Sequence, residues 1–252
     1  MKHIIIFLLL TSAAFGQTTL FPTADALIDQ QGEFFLPPTF HGGTPDVSLG
    51  STGPGTIRRS LIRFDLSSLT GQTISSASLA LTRDGGFGTW SNQTVSLFAV
   101  STANAGWTEG AVAWAWANYP ATHWAGSNGL GTAGTDYTNT VLGTATVNST
   151  DAFGTVVTFD FTPAGVAALQ SWVDTPASNA GLFLRASGLE AASLGNVQFR
   201  SRESFGTTVD PALTVTTVPE PTAINLFAAM CAFGLAARRF RVSHATKQTI
   251  RL

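Results

Sequence analysis

Apolar and polar side chains alternate with a period of two along one stretch of this chain after another. That pattern restricts it to half-buried antiparallel strands. Ile62, Phe64 and Leu66 alternate with Leu61, Arg63 and Asp65, and Ala77, Leu79 and Leu81 with Ser76, Ser78, Ala80 and Thr82. Val157, Phe159 and Phe161, Leu182 and Leu184, Val197 and Phe199, and Leu213 and Val215 repeat the pattern. Gly, Asn, Asp and Pro separate the runs, as turns require. One helix is expected: Thr162 can cap it, Pro163 suits its first position, and Val166, Leu169, Gln170 and Val173 follow with Trp172 on the face of Leu169. Two stretches read as long loops, Gly32–Pro45 and Gly126–Asn139. The expected fold of 17–217 is an all-β, jelly-roll type β-sandwich with one short helix.

Charge divides the chain into three parts. Residues 17–218 hold seven arginines, fourteen acidic residues and no lysine, a net −7. An acidic body excludes nucleic acid as a partner, because phosphate binding needs a cationic surface. The only cysteine, Cys231, lies near the C-terminus, so the body has neither disulfide nor thiolate chemistry.

The ends read as processing signals. Lys2 and His3 precede the apolar run Ile4–Leu10, and Ala14-Phe15-Gly16 puts small residues at −3 and −1 of a cleavage site between Gly16 and Gln17. Residues 1–16 are therefore expected to be a signal peptide. At the other end, Pro219-Glu220-Pro221 precedes a 15-residue apolar stretch, Ala223–Ala237, and then Arg238, Arg239 and Arg241. As a helix that stretch spans roughly 22 Å, a short transmembrane segment whose basic flank stays cytoplasmic. This ordered arrangement over 218–241 resembles the PEP-CTERM sorting signal, with 242–252 as a basic cytoplasmic tail. The resemblance implies an exosortase partner, transient anchoring in the inner membrane of a Gram-negative-type bacterium, and release to the cell surface, extracellular matrix or biofilm.

The body carries a second resemblance. Ala24-Asp25-Ala26, Leu49-Gly50 and Arg58–Leu69 open it, and Ile74–Leu81 continues it. Trp107-Thr108-Glu109-Gly110 and Val112-Ala113-Trp114 form its centre. Phe159-Asp160-Phe161, Trp172, Ser178–Leu182, Arg200-Ser201-Arg202-Glu203 and Pro211–Val215 complete it. Together these resemble the DNRLRE-type domain, classed with carbohydrate-binding modules of family 96. The resemblance implies a jelly-roll sandwich that binds glycan without catalysis.

The residues themselves offer three kinds of site. Four of six tryptophans fall between 107 and 124, with Tyr119 among them. Flat aromatic rings cover the C–H face of a pyranose, so Trp116, Tyr119 and Trp124 are the expected exposed ligand contacts, while Trp107 and Trp114 are expected in the core. Trp114 and Trp116 are expected on one face of a strand. Arg63 and Arg200 can read a uronic acid bidentately, or else pair with the many carboxylates. The net charge of the body favours a neutral glycan, or an acidic one bridged by calcium. Asp25, Asp29 and Asp210 are candidate ligands for a structural calcium. Catalysis finds no support: there is no nucleophile elbow, zinc motif or phosphate loop. The leading expectation is an exported polysaccharide-binding surface or matrix protein. The alternatives are a structural surface protein that binds no glycan and a polysaccharide lyase or hydrolase.

Overall fold

The computed structural model describes residues 16–31, 38–44, 46–51, 53–192, 195–204 and 211–218. The apolar N-terminal run, the segment from Pro219 onward with its arginines, and Asp210 lie outside the described residues. Among those described, no helix is long and apolar enough to cross a membrane.

The expected β class is what the structure shows. In chain order the strands are β1 (Gly16–Leu20), β2 (Pro22–Asp29), β3 (Asp46–Ser51), β4 (Ile57–Phe64), β5 (Thr73–Phe87), β6 (Gln93–Ala99), β7 (Trp116–Asn118) and β8 (Thr122–His123). After them come β9 (Gly143–Val147), β10 (Val156–Phe161), β11 (Leu182–Arg185), β12 (Gly195–Arg200) and β13 (Ala212–Val218). Every named ladder is antiparallel.

The ladders do not part into two separate sheets. Eight strands hydrogen-bond in a closed ring in the order β5, β10, β9, β6, β11, β4, β3, β12 and back to β5. The cause is the 15-residue β5, whose first part pairs with β10 and β13 and whose last part pairs with β12. Gly86 permits the turn from one set of partners to the other. Its φ is 153°, and a Cβ there would meet the Asn196 carbonyl oxygen at 2.6 Å. Closure removes free edges from the ring. β1 adds to β13 outside it, and β2 adds to β4.

The alternating apolar residues fill the ring as the sequence predicts: Ile62, Leu79, Leu81, Phe159, Leu182, Val197, Phe199 and Leu213 join one buried cluster. Helix α1 (Pro163–Asp174) caps one end, with Thr162 Oγ1 accepting from the Gly165 N–H at 3.1 Å. Leu169 and Trp172 point from it into the core. A second helix not foreseen from the sequence, α2 (Ser187–Ala192), packs on β3.

The outward face is where expectation and structure part. Leu61 and Phe183 occupy polar-side positions in their alternating runs, yet both are fully buried. They belong to a second apolar cluster with Ile28, Val100, Trp107, Val112, Trp124, Leu130 and Tyr137. The segment between β6 and β9 folds back over β2, β4 and β11 and covers them. Each such side chain taken out of water contributes about 1.5–3 kcal/mol, which fixes this outer layer to the ring.

Candidate functional site

The outer layer is held by its tryptophans. Trp107 Nε1 donates to the Ala180 carbonyl at 2.7 Å, and Trp124 Nε1 to the Ala113 carbonyl at 3.1 Å. Trp107 is therefore structural, as expected. Trp124 is only 5% exposed, which corrects its expected place on the surface: its ring is needed to fill the second core, and its N–H finds a partner there. Trp114 is buried, with the Arg59 guanidinium 5.3 Å from its ring. It lies over Gly129, where φ is 68° and a Cβ would meet the ring at 2.4 Å.

Trp114 and Trp116 do not share a strand face. Ala113 and Trp116 exchange both backbone hydrogen bonds, at 2.9 and 3.2 Å, so the chain reverses between them. The reversal sends Trp114 inward and leaves Trp116 half-buried at the start of β7. β7 and β8 form a short hairpin joined through a cis Tyr119–Pro120 bond. Its side chains make an aromatic surface. The Trp116 ring stacks on His123 at 3.5 Å and 28°, and meets Tyr119 edge-on at 5.2 Å. Phe40, arriving from the segment before β3, extends the row at 5.5 Å from Tyr119. Trp116, Tyr119 and Phe40 are half-buried and His123 is exposed, with its Nδ1 held 3.0 Å from the Ala115 carbonyl oxygen. Trp116 and Tyr119 are legible as candidates in the sequence. Phe40 and His123 join them only through the fold.

The arginines have other partners. Arg63 stacks on Trp107 at 4.3 Å and donates to the Ala105 and Trp107 carbonyls, so it serves as a buttress of the outer layer. Burial holds its pKa below the usual arginine value. Arg200 pairs with Asp84 at 3.0 Å. Neither is brought near the aromatic hairpin by any described contact.

Of the three expected metal ligands, Asp29 is paired with Arg58 at 3.0 Å. Asp25 instead meets Glu109 and Glu203, and one oxygen from each lies within 4.8 Å of the others. The Asp25 N–H donates to Glu109 Oε1 at 2.9 Å, and Asp25 Oδ2 accepts from the Arg202 N–H at 2.8 Å. The Arg202 guanidinium reaches Glu203 at 2.9 Å and Glu109 at 3.5 Å. Even so, Glu203 Oε2 is buried with no hydrogen-bond donor among the described residues. Burial pushes the Asp25 carboxyl up to about 8, the Arg202 N–H opposes this, and Glu203 and Glu109 add to the rise.

The sign of the resulting pH dependence follows directly. An unfolded aspartate ionises near pH ~3.9, so above that value the folded protein keeps a proton the unfolded chain has released. Stability in chelator is expected to fall as pH rises from there to about 8. Asp25→Asn should flatten this slope in urea melts at pH 5 and pH 8. An equal slope in both proteins contradicts the assignment.

A family model for carbohydrate-binding module family 96 matches residues 16–217. The chain belongs to carbohydrate-binding module family 96. No curated protein matches it. Within the module, three segments that carried the resemblance, those of Asp25, Glu109 and Glu203, lie far apart in sequence and converge on the carboxylate cluster. The cluster joins β2, the outer layer and the turn after β12. Carbohydrate-binding module families are typically non-catalytic.

Proposed function

We propose that this module is an exported, non-catalytic polysaccharide-binding protein of the cell surface or extracellular matrix. The observation that carries the reading is the aromatic row Phe40, Tyr119, Trp116 and His123 on a hairpin anchored by buried tryptophans. Aromatic rings already packed on a rigid support can contact a sugar with little ordering cost. Among the described residues no arginine contacts the row, which favours neutral sugars over uronic acids. The jelly-roll path and DNRLRE naming suggested by the resemblance are part of this reading. So are the signal peptide at 1–16, the exosortase cut at Pro219–Pro221, and passage through the inner membrane on the 223–237 segment with its Arg238, Arg239 and Arg241 flank.

Affinity electrophoresis of the full chain through gels containing single polysaccharides tests binding. Trp116→Ala/Tyr119→Ala is expected to lose retardation by about tenfold in apparent Kd, or ~1.4 kcal/mol. Retardation unchanged in that variant removes the hairpin from the site.

Calcium belongs to the same proposal. Asp25, Glu109 and Glu203 supply hard oxygen donors of the kind calcium takes, and Glu203 Oε2 has an unfilled coordination capacity. A bound ion there would cross-link three segments of the fold. Millimolar calcium is expected to raise Tm in the wild type and to have no effect in Glu109→Gln/Glu203→Gln. A Tm indifferent to calcium and chelator contradicts it.

A further inference from the structure

We propose that the pole of the barrel where β5 ends is a second contact surface for neutral polysaccharide, with Phe87 and Phe153 as its stacking rings. This rests on the polysaccharide-binding reading and adds a site to it. Phe87 is 63% and Phe153 74% exposed, and Val156, three residues on, is 59% exposed. Exposed apolar side chains mark an interaction surface where they share one region of a rigid support.

The support is rigid because two segments are tied together. The Ser149 hydroxyl donates to the Trp90 carbonyl at 2.8 Å, and the Ser149 N–H donates to the same oxygen at 3.1 Å. The Asn92 N–H donates to Asn148 Oδ1 at 2.8 Å, and the Gly154 N–H to the Arg83 carbonyl at 2.8 Å. Trp90 packs against the main core and donates its Nε1 to the Phe87 carbonyl at 3.2 Å. Both exposed rings are thus presented by backbone that is already ordered, which lowers the entropic cost of binding.

The surroundings select the ligand. Thr89, Ser91 and Asn92, which follow Phe87 closely in the chain, are exposed and offer hydroxyl and amide groups to sugar hydroxyls. The cation of the region is not free to read an acid: Arg83 donates to the Ser149, Asp151 and Gly85 carbonyls. Arg200, on the neighbouring strand β12, is taken by Asp84. The carboxylates here, Asp151 and Asp84, repel an acidic polymer, so an apolar platform with a polar rim suits a neutral pyranose chain.

Its position in the fold agrees with that occupant. Val218, where the described chain ends, pairs with Thr73 at the first residue of β5, whereas Phe87 is the last. The contour of β5 between them is roughly 45 Å at ~3.3 Å per residue. A body tethered through its C-terminal segment would point this pole away from the tether and toward extracellular polymer. Two separated contacts on one body also bind a long chain more tightly than a short one, through avidity.

The test compares the full-length wild type, Phe87→Ala/Phe153→Ala and Trp116→Ala/Tyr119→Ala by affinity electrophoresis in neutral polysaccharides and in alginate. Sedimentation and thermal melts are run alongside. Phe87→Ala/Phe153→Ala is expected to melt like the wild type and to lose about tenfold in affinity for a neutral polymer. Wild-type retardation in that variant, with loss in the hairpin variant, overturns the second site and leaves the binding reading standing. Concentration-dependent self-association that only Phe87→Ala/Phe153→Ala abolishes, with retardation unchanged, also overturns it and makes the pole a contact between copies. No retardation of the wild type in any polysaccharide defeats the binding reading, and the second site with it.

Discussion

Glu190→Gln is expected to lower stability by about 3–5 kcal/mol, because it strands a buried guanidinium. Glu190 lies in α2 and is buried against two arginines. Arg59 grips it as a fork, Nε to Oε1 at 3.0 Å and Nη2 to Oε2 at 2.8 Å. Arg185 adds bonds at 3.0 and 2.8 Å and donates to the Tyr137 hydroxyl at 3.1 Å. Burial alone would push the Glu190 carboxyl up; the hydrogen bonds from Arg59 and Arg185 reverse this and hold it below the usual carboxylate range. Its contribution is therefore present above the pKa of an unfolded glutamate and is lost as pH falls through the folded value. The sign is opposite to that of Asp25. The amide variant removes the charge but leaves Arg59 buried, 5% exposed, with its countercharge gone. In calorimetry Tm should drop by about 10 °C. Arg59→Met/Glu190→Met should recover most of the loss, because exchanging both charges for apolar volume leaves no unpaired ion. A Glu190→Gln protein that melts within a degree or two of wild type contradicts the account of this network.

Asp136→Ala is expected to cost about 3–5 kcal/mol and to loosen the outer layer locally. Asp136 is fully buried in the long Gly/Thr/Asn-rich stretch that the sequence marks as a loop. Its carboxylate accepts from the N–H groups of Gly126, Ser127 and Thr132 at 2.7–2.9 Å and from Asn104 Nδ2 at 3.2 Å. One side chain thus does for this loop what a strand partner does for a strand. Removing it leaves three donors without their acceptor and frees Leu130 and Gly129, against which Trp114 and Arg59 rest. Protease cleavage within 126–139 should appear in the variant well below its melting temperature. Thr132→Ala, which loses only a hydroxyl bond to Ser127, should stay resistant. Equal resistance in Asp136→Ala contradicts the role given to this carboxylate.

The ring is legible in the sequence because its inward residues repeat every second position, and Thr162-Pro163 announces α1 by local chemistry alone. The outer layer is not, because it has no period. Its trace in the sequence is the presence of Leu61 and Phe183 on what should be a wet face. Arg59, on that same face, is a second trace, since a guanidinium flanking buried Leu61 must find a buried acid. Trp124 is misplaced by sequence reasoning for the same cause: an aromatic in an aperiodic segment looks exposed until the surface it covers is known. Trp116 and Tyr119 stand out by residue type, whereas His123 and Phe40 reach them only through the hairpin and through the approach of a distant segment. The carboxylate cluster is half legible. Asp25 stands out, but Glu109 and Glu203 join it from segments whose convergence only the closed ring brings about.

The central claim is that this module takes up polysaccharide through surface aromatic rings. Tryptophan fluorescence of the full chain, followed through titration with a panel of neutral and acidic polysaccharides, tests it most directly, because Trp116 is the half-buried indole of the hairpin while Trp107, Trp114 and Trp124 are shielded. The account predicts a saturable change with a neutral polymer that is reduced in Trp116→Ala, where Trp90, half-buried beside Phe87, is left to respond. A folded protein whose emission is unmoved across the whole panel would contradict it.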